Sequence, residues 1–174
     1  MYTLTLSLAD SSDGVLVGTP AVLGPVVFTA HPRVFEPPAP SIVAGMTWGE
    51  VIDLPGYDLM APSDYEDVVT VTLYWHAKCR MDASYKVFLH LLDVESGQVV
   101  AQLDTVPHNW TYPTYWWESG EFVEDTLALP LEGVPPGRYA IWLGLYDADT
   151  GVRLAAYGPN GEHYPNDAAL LTTM

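Results

Sequence analysis

Leu143-Gly144-Leu145-Tyr146-Asp147, with Gly151 four residues on, reads as a β-strand running into a tight turn, and the chain uses this unit three times. Leu6-Ser7-Leu8-Ala9-Asp10 leads to Gly14, and Leu89-His90-Leu91-Leu92-Asp93 leads to Gly97. A second strand then leaves from Val15, Val99 or Val152. The spacing has a local cause. An aspartate carboxylate accepts hydrogen bonds from backbone N–H groups two residues on, and glycine takes the positive φ that closes a short hairpin loop. A chain punctuated in this way is built from antiparallel hairpins.

The first and last units agree beyond the turn. Tyr2–Val15 aligns without a gap on Tyr139–Val152, with Tyr, Leu, Leu, Asp, Gly and Val coinciding. Two readings follow. Hairpins of any β protein share such a pattern, and residues 1–30 then pair with the sandwich that follows them. Alternatively, they are the remnant of a preceding related domain, and the natural protein is longer.

Outward from these units the chain remains β throughout. Tyr2 to Leu8 alternates, Val15 to Val17 is its return, and Val26-Val27-Phe28 is a short third run. Pro32, Pro37, Pro38 and Pro40, four prolines in nine positions, then exclude helix and central strand. Residues 31–41 are therefore an extended connector and the best domain boundary. Trp48 to Leu54 and Gly56 to Met60 read as short strands around Pro55-Gly56. Asp67 to Ala77 is the strongest strand, with Val69, Val71, Leu73, Trp75 and Ala77 on one face. Tyr85 to Asp93 pairs with Val99 to Asp104; Phe122 to Leu129, Arg138 to Asp147 and Val152 to Ala156 follow. The expected fold is all-β: an antiparallel β-sandwich, immunoglobulin-like or jelly-roll-like, of about ten short strands with little or no helix. One sandwich spans 1–157 with its core in 42–157, and residues 158–174, rich in Gly, Asn and Pro, form a loosely packed tail.

Six basic residues against twenty-two acidic ones give a net charge of −16. That field repels nucleic acid and anionic lipid, and it suits cations or neutral ligands. Cys79 is the single cysteine, so there is neither an internal disulfide nor a thiolate metal cluster. No stretch approaches the ~18 apolar residues of a membrane span, and no charged-then-apolar leader opens the sequence. No cofactor, no metal site and no direct membrane insertion by this chain are expected.

Chemistry concentrates in one segment. Trp110-Thr111-Tyr112-Pro113-Thr114-Tyr115-Trp116-Trp117 holds five aromatics in eight residues, between strands rather than on one. Indole and phenol faces stack on the C–H faces of pyranose rings, so Trp110, Tyr112, Tyr115 and Trp116 are candidate glycan-binding residues. The competing reading is that these rings cover the open end of a small core, and Trp117 fits that role better. Glu118, Glu121 and Asp125 could supply the paired carboxylates of sugar hydrolysis, but a solvated acidic edge that blunts aggregation is the simpler reading, and no residue is assigned as catalytic. His76 and His90, mid-strand among apolar neighbours, could share a face and recruit Asp104 or Asp125. A histidine hydrogen-bonded to a carboxylate explains them better than zinc, which wants three or four ligands. Asp147-Ala148-Asp149-Thr150-Gly151 resembles the start of a calcium loop without its closing glutamate, and its recurrence favours a turn.

The order of motifs carries a resemblance. VTVTLYWHA (69–77), YKVFLHLLD (85–93), GQVVAQLD (97–104), TYPTYWW (111–117), GEFVED (120–125), LPL (129–131), PPGRYAIWLGLYD (135–147) and TGVRL (150–154) follow one another. Together, over roughly Gly45 to Leu154, they resemble a bacterial domain of unknown function. That domain lies in the extracytoplasmic C-terminal regions of multi-pass membrane proteins similar to polyprenol-sugar-dependent glycosyltransferases. YTLTLSLAD (2–10) and LGPVVF (23–28) resemble the end of one such unit running into the next. The resemblance implies a β-sandwich outside the membrane, at the cell surface or secreted, as part of a larger protein and without assigned catalytic residues. His90, Asp104, Trp117, Glu121 and Asp125 fall on its recurrent polar and aromatic positions, which makes His90, Asp104 and Asp125 candidates for a structural polar network. The expected function is a non-catalytic spacer or recognition module whose partner is a glycan. The alternatives are an assembly element stacking on sister domains and, less favoured, a glycoside hydrolase.

Overall fold

In the computed structural model, residues 2–26, 31–63 and 67–174 are described. The chain divides into two compact units, 1–32 and 33–174. In the first, β1 (Tyr2–Ala9) and β2 (Leu16–Val26) pair antiparallel as a two-stranded sheet. The second holds β3 (Ile42–Trp48), β4 (Ile52–Met60), β5 (Val68–Ala77), β6 (Tyr85–Asp93) and β7 (Val99–Thr105). It continues with β8 (Phe122–Pro130), β9 (Tyr139–Asp147), β10 (Ala156–Tyr157) and β11 (Ala168–Thr173). These form a five-stranded sheet ordered β10-β3-β4-β5-β8 and a four-stranded sheet ordered β11-β9-β6-β7. All ladders are antiparallel, so the all-β sandwich expected from the sequence is what forms.

Alternation fixes which face is inside. Val69, Val71, Leu73, Trp75 and Ala77 on β5 are fully buried while the residues between them are partly exposed. They meet Val87, Leu89 and Leu91 of β6 and Ile141, Leu143 and Leu145 of β9 in one core. Near its centre the indoles of Trp48 and Trp75 pack edge to face, 5.7 Å between ring centroids. Burying such side chains contributes roughly 1.5–3 kcal/mol apiece, the main term against chain entropy.

The repeated turn behaves as its chemistry requires. Asp93 Oδ1 accepts the N–H groups of Glu95 (3.1 Å) and Ser96 (2.7 Å), and Asp147 Oδ1 those of Asp149 (3.0 Å) and Thr150 (2.7 Å). Asp10 Oδ1 accepts Ser12 N–H at 2.8 Å. The closing glycines Gly14, Gly97 and Gly151 have φ of 71°, 69° and 72°.

Several expectations require correction. Pro55-Gly56 does not separate two strands but lies inside β4, because the β3–β4 turn is made at Gly49-Glu50 with φ of 55° and 59°. The ladders slip there, on the β3 side between Val43 and Met46 and on the β5 side between Asp53 and Gly56. A bulge is where a strand tolerates proline, whose missing N–H leaves no ladder bond unmade. The end of the chain is not a loosely packed tail. β11 pairs with β9, and Ala168, Ala169 and Leu171 are buried. The Pro-rich connector belongs mostly to the second unit: Val34 bridges Phe122 on β8, and Ser41 N–H donates to Asp58 Oδ1 at 2.7 Å. Val15 is not yet in β2, and of the run Val26-Val27-Phe28 only Val26, the last residue of β2, lies among the described residues.

A methyl group at Gly56 would meet Ile42 O at 2.3 Å and Pro40 Cγ at 2.4 Å, whereas one at Gly97 meets nothing. Gly56→Ala is therefore expected to cost about 1–3 kcal/mol by overpacking. Gly97→Ala should cost only its left-handed backbone, about 1 kcal/mol. Urea denaturation of both variants checks the order, and equal losses would contradict it.

Candidate functional site

Residues 106–121 carry the chain from β7 of one sheet to β8 of the other. Val106 and Pro107 are buried, and the next three residues, His108, Asn109 and Trp110, all take the left-handed conformation with φ of 53°, 49° and 72°. This is a left-handed turn, not a segment of ordinary helix. For residues with a Cβ it costs roughly 1–2 kcal/mol each, so other contacts must hold it. His108 N–H donates to Asp125 Oδ1 at 2.8 Å. Trp110 N–H donates to Val106 O at 2.9 Å, and Tyr112 N–H to Pro107 O at 3.1 Å.

The segment is then pinned from below. Tyr112 is buried in the core, and its hydroxyl donates to Glu121 Oε1 at 2.7 Å. Glu121 is itself only 1 % exposed. Its Oε2 accepts Arg33 Nη1 at 2.6 Å and Glu118 N–H at 2.8 Å. Arg33 also donates to Trp116 O at 3.0 Å, and Arg80 pairs with Glu118 at 3.3 Å. Burial, and then the Glu121 carboxylate, pushes the Tyr112 phenol up to about 12. Thr114 is buried too; its hydroxyl donates to Ala83 O and accepts Tyr85 N–H, both at 2.9 Å. Trp117 is buried and donates its indole N–H to Tyr112 O at 3.2 Å.

On this base Trp110, Tyr115 and Trp116 stand about half exposed. Tyr115 and Trp116 meet edge to face with centroids 5.9 Å apart, and Lys86 Nζ lies 4.8 Å from the centre of the Trp110 ring. Tyr112 is separated from the other three candidates: its ring is core and offers no face for stacking. The competing reading of the segment as core cover describes Tyr112 and Trp117, while the other three rings remain outside.

The polar candidates divide between the two sheets. His90 and Asp104 meet on the four-stranded sheet, where with Phe88, Tyr146, Gly151 and Arg153 they line a shallow cavity of about 200 Å³. Burial pulls the His90 imidazole below its ordinary range; Asp104 opposes this and Arg153 adds to it. Asp125 does not join them, because β8 is in the five-stranded sheet, where Asp125 points inward beside Val123 and Leu127. His76 is likewise apart from His90. It stacks on Phe122 at 4.5 Å and lies 3.5 Å from Asp53 Oδ2. The reading of 118–125 as a solvated edge holds for Glu124 and fails for Glu121 and Asp125, which are buried. Sequence reasoning also missed Arg33 and Lys86. A lone cation in a Pro-rich connector of so acidic a chain was the available signal for Arg33.

Asp125 supplies a pH test. Its carboxyl is buried, and burial raises it above the usual aspartate range, against the opposing effects of the His108 N–H and imidazole and of the Trp75 indole. A raised acid favours folding when protonated, so its contribution is full below the ordinary value near 4 and is lost as pH rises through the raised one. Asp125→Asn should therefore gain in melting temperature over the parent as pH goes from 4 to 7, and a constant offset would contradict this. Compared with known proteins, the chain matches no family model and no curated protein.

Proposed function

We propose that this chain is a non-catalytic recognition module of a cell-envelope protein, acting outside the membrane and binding glycan through Trp110, Tyr115 and Trp116. One observation carries the reading. Three aromatic rings are held half in solvent by a left-handed turn and by an ion pair in which the buried Glu121 carboxylate meets a partly exposed Arg33, and straining the backbone and burying a carboxylate are both costly. Backbone strain kept at a surface that adds little to the core is the pattern of a binding site. The rings offer apolar faces with a polar edge, and the Lys86 ammonium beside Trp110 offers a donor for a sugar hydroxyl. A net charge of −16 disfavours anionic ligands and leaves neutral sugars unaffected. The extracytoplasmic placement rests on the motif order described above.

The hydrolase reading is weaker because the acids are already engaged. Glu121 binds Tyr112, Arg33 and the Glu118 amide; Glu118 pairs with Arg33 and Arg80; Asp125 faces the core. Retaining and inverting enzymes both need two carboxyls facing one substrate-sized space. Assembly on sister domains has its own support, in the first unit, and is taken up below.

Intrinsic tryptophan fluorescence titrated with soluble polysaccharides, with and without calcium, tests the proposal. One glycan class should give a saturable shift. Trp110→Ala and Trp116→Ala should each weaken binding about tenfold, with melting temperatures moved by less than about 3 °C. A flat response across the panel, or unfolding of both variants, would overturn it.

A further inference from the structure

From Tyr2 to Leu6 the pairing of β1 with β2 repeats the pairing of β9 with β11, one irregularity included; a second slip, between Leu6 and Leu8, has no counterpart in the β9–β11 ladder. Leu6 lies opposite Ala21, and Leu143, its counterpart in the gapless alignment, lies opposite Ala169. Moving toward Tyr2, the ladder slips between Thr5 and Leu4, whose partners jump from Val22 to Gly24. Toward Tyr139 it slips between Trp142 and Ile141, whose partners jump from Leu170 to Thr172. The residues passed over, Leu23 and Leu171, are equivalent. A bulge at the same rung, with leucine in it and alanine two residues before it, goes beyond what two unrelated antiparallel pairs share, the more so because β1 and β2 are joined by a short turn while β10 intervenes between β9 and β11.

The equivalent positions have opposite fates. Ile141, Leu143 and Leu145 are at most 1 % exposed, and with Ala169 and Leu171 they belong to the sandwich core. Leu4, Leu6 and Leu8 are 52 %, 57 % and 70 % exposed, and Leu23 is 59 % exposed. The outer edge of β9 is taken by β6 along its whole length, whereas β1 has no second neighbour among the described residues. A leucine face this exposed, beside an open strand edge, is the liability that sheet proteins cover.

We infer that β1–β2 is the closing strand pair of a second β-sandwich of this same design, and that its occupant is such a sandwich open at the β9–β11 position. That occupant lays a β6-like strand along β1 and an opposing sheet over Leu4, Leu6 and Leu8. An intact copy of residues 33–174 is a poor occupant, because its own β9–β11 pair already fills the place. One side chain sets a specificity. Ser7 stands where the second unit has Gly144, and a Cβ on Gly144 would come within 2.2 Å of Phe88 Cζ. The partner strand therefore carries a residue smaller than phenylalanine at the Phe88 position.

The test places residues 33–138 directly before Tyr2 of the chain, with Ser7→Gly to admit Phe88, and reads amide hydrogen exchange. In this extended chain the β1 and β2 amides should gain at least about a hundredfold in protection over the 174-residue chain. Leu6→Asp should remove that gain and leave the amides of β9 unchanged. Equal exchange in the two chains would overturn the inference, as would protection in the 174-residue chain that rises with its concentration, since the occupant is then a second copy. A transplant decides the matter if the extended chain is insoluble. Ala140→Thr, Ile141→Leu, Trp142→Thr and Tyr146→Ala together give β9 the residues of β1 while keeping Gly144. One cooperative melting transition is the expected result, and its loss would refute the fit. Neither readout depends on the aromatic residues, so failure here and failure of glycan binding are distinguishable.

Discussion

One buried carboxylate organises the most irregular part of this molecule. Glu121 sits at the entrance to β8 and joins groups from three segments: the hydroxyl of Tyr112, the guanidinium of Arg33 and the amide of Glu118. A charge with so little exposure is tolerable only when its lone pairs are occupied. Its partners are thereby held in register with one another. The Pro-rich connector is fixed at one end, the aromatic crossover at the other, and the first residues of β8 between them. Asp125, four residues further on, does the equivalent for the left-handed turn at His108.

The regular part of the fold was legible because it is written in short-range terms. Alternation along Val69–Ala77 needs only the two-residue period of a strand, and the Asp-to-Gly spacing needs only a carboxylate near its own backbone. What was misread is long-range. Pro55-Gly56 has the composition of a turn, yet it is a bulge inside β4, because Gly56 sits against Pro40 and Ile42, far from it in sequence. The last strand was missed because Gly, Asn and Pro dominate the approach to it, masking the short apolar run at Ala168–Leu171. At the aromatic segment the composition was visible but its sorting was not. Tyr112 and Tyr115 are alike in sequence terms, and only the placement of Glu121 sends one phenol inward. Asp104 and Asp125 were grouped as one network although they belong to different sheets.

The two proposals concern different units and draw on different physics. Glycan recognition rests on strain and desolvated charge, which hold rings at a surface where relaxation would otherwise bury or disorder them. Closure of a second sandwich by β1–β2 rests on repetition, since a bulge repeated at one rung with the same residue in it carries the imprint of the surroundings in which it packs. Together they describe a chain whose second unit presents a face and whose first completes a neighbour. The heavy acidic excess keeps such exposed surfaces from non-specific association.

The edge-to-face indoles of Trp48 and Trp75 have an optical consequence. Two strongly absorbing chromophores 5.7 Å apart in a fixed chiral arrangement couple their transitions, and the resulting circular dichroism couplet depends on their mutual angle. Both are fully buried on the inner face of the five-stranded sheet, whereas the outer rings of the crossover are half exposed. The interior thus carries its own spectroscopic label, one that fades when the two sheets lose their packing and is indifferent to what the outer aromatics touch.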